Sequence, residues 1–241
     1  MRSTDIPDVD KYGAHMLSNS NNTPDGRFRY LVALLLSSQT RDPVTAAAIC
    51  RLDQHLPIKT YSEEYANSTV TKMDEILEHN LTIRNVRESD VDALKMLIKP
   101  VGFYNKKAEY LKKIADTIDD VPNTIKGLTN LPGIGLKMAN ICLQVCYNSV
   151  QGIAIDTHMQ RICQKLGWGG KDDISANPNQ VAKDLEEWVP KEYWADLNPL
   201  VVGFGQVWCS ALHPKCSDCL IYDNCLWSEK SEFRKKKPVV K

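Results

Sequence analysis

The sequence has no apolar run of membrane-spanning length. The longest, Tyr30 to Leu36, is seven residues, which suits a buried helix and not a bilayer crossing. An excess of one charge is also missing. Thirty Lys and Arg balance thirty Asp and Glu, so the whole-molecule field points to no anionic partner, although a local basic face would suffice for nucleic acid. The stretch MRSTDIPDVDKYGAHM carries acids and no apolar core, which excludes a secretory signal and argues against a mitochondrial transit peptide. Strand-like alternation, internal repeats and low-complexity segments do not occur. These absences predict an intracellular all-α chain with no membrane contact, whose 241 residues, 43% of them hydrophobic, fill one large domain or two modest ones.

Cysteine, by contrast, is plentiful. Cys50, Cys142, Cys146 and Cys163 lie scattered on apolar helical faces and are expected as core thiols. The other four crowd into CSALHPKCSDCLIYDNC, where Cys209, Cys216, Cys219 and Cys225 give the spacing C-x6-C-x2-C-x5-C. In a reducing interior such thiols favour metal over disulfides. The spacing leaves zinc and a [4Fe–4S] cluster both open, since each accepts four sulfurs.

Helical periodicity recurs along the chain. Val91, Leu94, Leu97 and Ile98 form a stripe behind Ser89, which with Asp92 makes a plausible capping box. Ala108, Leu111, Ile114, Ala115 and Ile118 form another, with Lys106, Lys107, Lys112 and Lys113 expected on other faces. Met138, Ile141, Cys142, Val145 and Cys146 follow helical spacing, as do Met159, Ile162, Cys163 and Leu166, and Val181, Leu185 and Trp188 with Val189. Gly167 to Gln180 reads as a loop, and FRKKKPVVK as a basic tail, either a solvated terminus or a nuclear address or nucleic-acid contact.

LPGIGLKMAN (131–140) concentrates the chemistry. Gly133-x-Gly135 lacks the third glycine of a dinucleotide fingerprint and the G-K-[ST] end of a P-loop. What remains is a tight turn between two helices, whose second N-terminus offers backbone N–H groups and a positive dipole end to a phosphate. Lys137 sits in that helix's first turn, where a cation is slightly disfavoured. An ordinary lysine is only about 1 part in 2000 neutral at pH 7, and a nucleophilic amine needs roughly 4 kcal/mol against its charged form. Partial burial beside the helix end is expected to supply it. Asp156, in GIAIDTHMQRI, follows an apolar run and precedes a helix, so it is a natural N-cap. Only the tertiary fold could bring it to Lys137; there, amine and carboxylate could attack and stabilise a nucleotide sugar.

Hairpin lysine, downstream aspartate and terminal cysteines together resemble the endonuclease III family of DNA glycosylases, within the helix-hairpin-helix superfamily. LPGIGLKMAN is similar to the family's L-P-G-V-G-x-K-x-A-N hairpin and IDTHMQRI to its V-D-T-H-V-x-R segment. LLLSSQTRD (34–42), VGFYNKKAE (101–109) and the cysteine spacing also match, the last favouring [4Fe–4S] over zinc. The resemblance spans roughly residues 25 to 227. It departs at Leu136 and Met138, where arginine and threonine are common, and at Phe103, often leucine in bacterial relatives.

The resemblance implies two all-α lobes with DNA across the cleft between them. A six-helix barrel-like lobe (28–150) holds the hairpin at about 124–147, and a cluster lobe (151–228) receives the N-terminal segment 1–27, with 229–241 as the tail. It implies Lys137 as nucleophile and Asp156 as catalytic carboxylate. Gln39, Phe103, Tyr104 and Asn105 would enter the duplex; Gly133, Gly135, His158, His213 and Lys215 would face DNA; Cys209, Cys216, Cys219 and Cys225 would hold the cluster. The implied activity is a bifunctional glycosylase/lyase acting, as a monomer, on double-stranded DNA with oxidised pyrimidines or abasic sites, in the nucleus, a mitochondrion or, in a bacterium, the nucleoid. A monofunctional relative, or a non-catalytic DNA-binding module with structural zinc, are the alternatives.

Overall fold

A computed structural model describes residues 6–12, 22–59, 80–169 and 177–227. Among these, every regular element is helical and no strand occurs. The chain divides into two compact units, Lys11–Gln151 and Met1–Asp10 with Gly152–Lys241. Before residue 22 the described residues are 6–12, with a short helix α1 (Asp8–Tyr12). The basic tail at 229–241, the middle of the 167–180 loop (170–176), and residues 1–5 and 13–21 of the N-terminal segment lie outside the described residues.

In the first unit, α2 (Pro24–Ser37) is buried without a break from Phe28 to Leu36. A helix apolar on every side belongs at the centre of a core. It starts cleanly: Thr23 accepts the Gly26 N–H at 3.1 Å, and Pro24 takes the first-turn position where its missing N–H costs nothing. Arg29, buried inside it, pairs with Asp53 of α3 (Asp42–His55), whose other oxygen accepts the Leu81 N–H at 3.1 Å. Buried charge survives only when partnered in this way.

Helices α4 (Ile83–Glu88), α5 (Val91–Ile98) and α6 (Tyr104–Thr117) pack around that centre. The stripes Leu94, Leu97, Ile98 and Ala108, Leu111, Ile114, Ala115 are buried as expected. The cap of α5 differs from the expected box. Asp90 caps it, accepting from Asp92 N–H at 2.9 Å and Ala93 N–H at 3.1 Å. Ser89 instead bridges elements, donating to Asn85 O at 2.7 Å and accepting from Ile58 N–H at 2.9 Å. Lys107 also departs from expectation: it is buried, not on an outer face. Two further helices, α7 (Ile125–Thr129) and α8 (Leu136–Tyr147), complete the unit. On α8 the buried side is Ala139, Cys142, Leu143 and Cys146, with Met138, Ile141 and Val145 at its margin.

The second unit has its own core. Met159, Ile162, Cys163 and Leu166 of α9 (Thr157–Leu166) meet Val181 and Leu185 of α10 (Pro178–Trp188) and Val201 and Val202 of α11 (Trp194–Val207). Trp188, expected inside, is half exposed; its indole donates to Trp168 O at 3.2 Å across an edge-to-face pair. The extended run before α9 is fixed by Glu186, which accepts the Ile153 N–H at 2.7 Å, and by Asn198, which donates to Ala154 O at 2.7 Å.

Candidate functional site

The LPGIG turn is pinned from inside. Leu131 and Ile134 drop into the core, and the Ile134 N–H returns to Leu131 O at 3.2 Å. Gly133 has φ +81, and a Cβ there would fall 2.6 Å from Tyr110 Cδ2 and 2.9 Å from Leu35 Cδ1. The fold itself therefore demands the first glycine. Gly135 is another matter. Its φ of −94 suits any residue, a Cβ would meet nothing within 4 Å, and it caps α8 without a side chain. No internal contact explains it, so the open space before this helix end is what the missing side chain preserves.

Lys137 lies in the first turn of α8 and is exposed. The partial burial expected for it is therefore absent from the chain by itself. Asp156 is half-buried and does cap α9, accepting the Met159 N–H at 2.7 Å. Lys137 belongs to one compact unit and Asp156 to the other.

Gln39 and Phe103, far apart in sequence, sit on adjoining loops of the first unit. Both adopt left-handed backbone, at φ 52 and φ 58, which side chains rarely accept. Phe103 is 63% exposed and Gln39 exposed. The loops touch at Gly102, whose N–H donates to Thr40 Oγ1 at 3.1 Å and whose Cβ would strike Gln39 O at 2.6 Å. Tyr104 and Asn105 follow in the first turn of α6, half-buried and exposed.

The end of α2 explains how the Gln39 loop is held. Ser37 Oγ donates to Leu34 O at 2.9 Å and Ser38 Oγ to Leu35 O at 3.0 Å. The Thr40 N–H returns to Ser37 O at 3.1 Å. Lys107 Nζ, reaching from α6, donates to Leu36 O at 2.8 Å and Ser38 O at 2.6 Å, with Thr40 Oγ1 at 3.3 Å. Terminal carbonyls of a helix need such donors, and a cation also suits the dipole's negative end. Burial pushes the Lys107 ammonium down to about 8. Sequence reasoning missed this lysine, although Tyr104, Lys107, Ala108 and Leu111 follow i, i+3, i+4, i+7 and mark it as core-facing.

The four clustered cysteines line one pocket with Ile162, Leu166, Phe204 and Trp208, and none forms a disulfide. Burial raises the Cys216 and Cys219 thiols, and the neighbouring sulfurs add to it. Among the described residues no three His, Cys, Asp or Glu side chains gather as ligands of a single ion. Two basic residues flank the pocket: Arg161 donates to Cys209 O at 2.6 Å, and Lys165 Nζ lies 3.2 Å from the Trp227 ring centre. His158 packs beside them, half-buried, where a Cβ on Gly205 would come within 2.9 Å of its Nδ1. His213 and Lys215 are exposed on the cysteine loop, the ammonium of Lys215 5.8 Å from the Trp208 ring centre. Arg161 belongs to the family-like IDTHMQRI segment, whereas Lys165 carries no sequence signal that separates it from a solvated helix face.

The family model described as HhH-GPD superfamily base excision DNA repair protein matches residues 32–191. The chain is 38% identical to endonuclease III homolog 1, chloroplastic, of Arabidopsis thaliana, covering 93% of itself and 55% of that protein. It is 35% identical to endonuclease III-like protein 1 of Mus musculus, covering 91% of itself and 67% of the relative. The chain thus spans little more than half the length of the plant protein. A solved endonuclease III trapped as a covalent intermediate with DNA superposes with a TM-score of 0.68 at 25% identity, over 93% of this chain and 94% of the other. With a family model matched over residues 32–191 and sequence shared with these relatives along nine-tenths of its length, the chain belongs to the endonuclease III family within the HhH-GPD superfamily of base excision DNA repair proteins.

Proposed function

We propose that the chain is a bifunctional DNA glycosylase and abasic-site lyase, acting on oxidised pyrimidines in duplex DNA. The observation that carries this is Gly135: an unobstructed helix N-terminus with a lysine in its first turn. A phosphate seated there brings the sugar-phosphate backbone to Lys137. Damage weakens pairing and stacking, which lowers the cost of extrusion. Bound DNA then covers the Lys137 side chain, which is exposed in the chain alone. The amine attacks C1′ as the bond to the base breaks. Asp156 stabilises the cationic sugar and takes the proton released by the amine, while the departing base is protonated from solvent. The sugar opens at its C1′–O4′ bond to leave a Schiff base. The Schiff base acidifies the C2′ proton, and β-elimination breaks the strand on the 3′ side. Gln39 and Phe103 fill the vacated stack.

The four thiols suit a [4Fe–4S] cluster better than zinc. The C-x6-C-x2-C-x5-C spacing, similar to the family's cluster signature, is what favours the cluster. A cluster takes one thiolate per iron and spreads them around a larger body, as sulfurs lining a shared pocket would. When bound it cross-links the loop that carries His213 and Lys215. Purified protein is expected to be brown, with iron and sulfide at about four each per chain. A colourless zinc protein would refute this assignment. We place the enzyme, as a monomer, with nuclear or mitochondrial DNA; the Arabidopsis relative is chloroplastic.

The testing experiment mixes the protein with a duplex containing one oxidised thymine, then adds borohydride. A covalent adduct and a nicked strand are expected. Binding without adduct would leave the non-catalytic reading standing. The glycines separate fold from contact. Gly133→Ala should cost roughly 1–2 kcal/mol for the left-handed backbone alone, before its clash with Tyr110. Gly135→Ala, at the N-cap of α8, should cost no more than about 1 kcal/mol yet weaken duplex binding several-fold. Equal affinity for wild type and Gly135→Ala would remove the phosphate from this turn.

A further inference from the structure

The loops of Gln39 and Phe103 are joined by a seam whose centre is a buried ammonium. Lys107 approaches from α6, one turn after Phe103, and donates to the last carbonyls of α2, immediately before Gln39. It therefore bonds the base of one loop while being covalently part of the other. Thr40 Oγ1 completes the triangle, accepting from both the Gly102 N–H and Lys107. Gly102 sets the spacing, since any Cβ would drive it off Gln39 O. Two exposed side chains on strained, left-handed backbone are thus held at a fixed separation by a buried lysine and the half-buried Thr40 and Gly102.

We propose that Lys107 is a positioning residue for base extrusion, locking Gln39 and Phe103 into one two-pronged wedge. This rests on the functional reading above and adds to it a residue that touches no DNA. A wedge must enter between stacked bases with both prongs at once, so a loosened seam lets one prong lag and the gap close. The effect belongs to duplex DNA alone. A single strand has no opposing stack to fill, and chemistry at Lys137 proceeds there without a wedge.

The test uses Lys107→Met, which removes the ammonium, and Gly102→Ala, which keeps every hydrogen-bonding group and only spreads the loops. Single-turnover rates, normalised to the borohydride-trappable fraction, are measured on a duplex with an oxidised pyrimidine and on single-stranded abasic DNA. Both variants should slow on the duplex by roughly 10- to 100-fold, with single-stranded cleavage within about twofold of wild type. Should Lys107→Met fail to fold, Gly102→Ala decides alone. Parallel slowing on both substrates would make the seam merely structural and overturn the proposal, as would wild-type rates on the duplex. A wild-type chain that cleaves neither substrate removes the functional reading, and this proposal with it.

Discussion

Lys137→Gln is expected to abolish borohydride trapping and lower strand cleavage by more than about a thousandfold. The side chain is exposed in the first turn of α8, so the change should move stability by no more than about 0.5 kcal/mol. Glutamine matches lysine in helix propensity, and its amide nitrogen cannot form a Schiff base. Loss of activity with unchanged thermal unfolding would therefore report on the nucleophile and not on the turn. Duplex binding should persist, because the phosphate contact proposed for this turn uses backbone N–H groups and not the lysine. Trapping retained in the variant would move the nucleophile elsewhere in the chain.

Asp156 carries the second large effect, and its two duties can be separated. It caps α9 through one oxygen, bonded to the Met159 N–H. Asparagine caps about as well as aspartate, whereas alanine costs ~1 kcal/mol. Asp156→Asn should thus unfold like wild type while base removal falls about 10²- to 10⁴-fold. Asp156→Ala should show a similar kinetic loss and a lowered melting temperature. Normal turnover by the asparagine variant would leave the carboxylate as a cap and nothing more.

Where polarity contrast along a helix was sharp, the sequence revealed the packing. On α9, Met159, Ile162, Cys163 and Leu166 alternate with His, Gln, Arg and Lys, and all four are buried. On α8, LKMANICLQVCY is apolar over so wide an arc that spacing alone picks Met138 and Val145, while the core takes Ala139 and Leu143. At the start of α5, serine and aspartate stand side by side, each able to cap, and only the pull of Ser89 toward Ile58 assigns the role to Asp90. Of the proposed site residues, Lys137 and the cysteines stand out because each breaks a local rule of charge or composition, whereas Asp156 by itself reads as an ordinary N-cap. Lys107 broke one too, as a cation on an apolar stripe, but its acceptors lie some seventy residues earlier in sequence.

The hairpin-bearing unit is a continuous stretch, Lys11–Gln151, with a core of its own. A growing polypeptide can complete it while the cysteine-rich half is still being synthesised. The iron–sulfur cluster proposed above would then be delivered to a chain whose glycine turn is already in place. Under iron starvation, cells should accumulate molecules with that turn intact and the cysteine half immature, a pool open to rescue by late metallation.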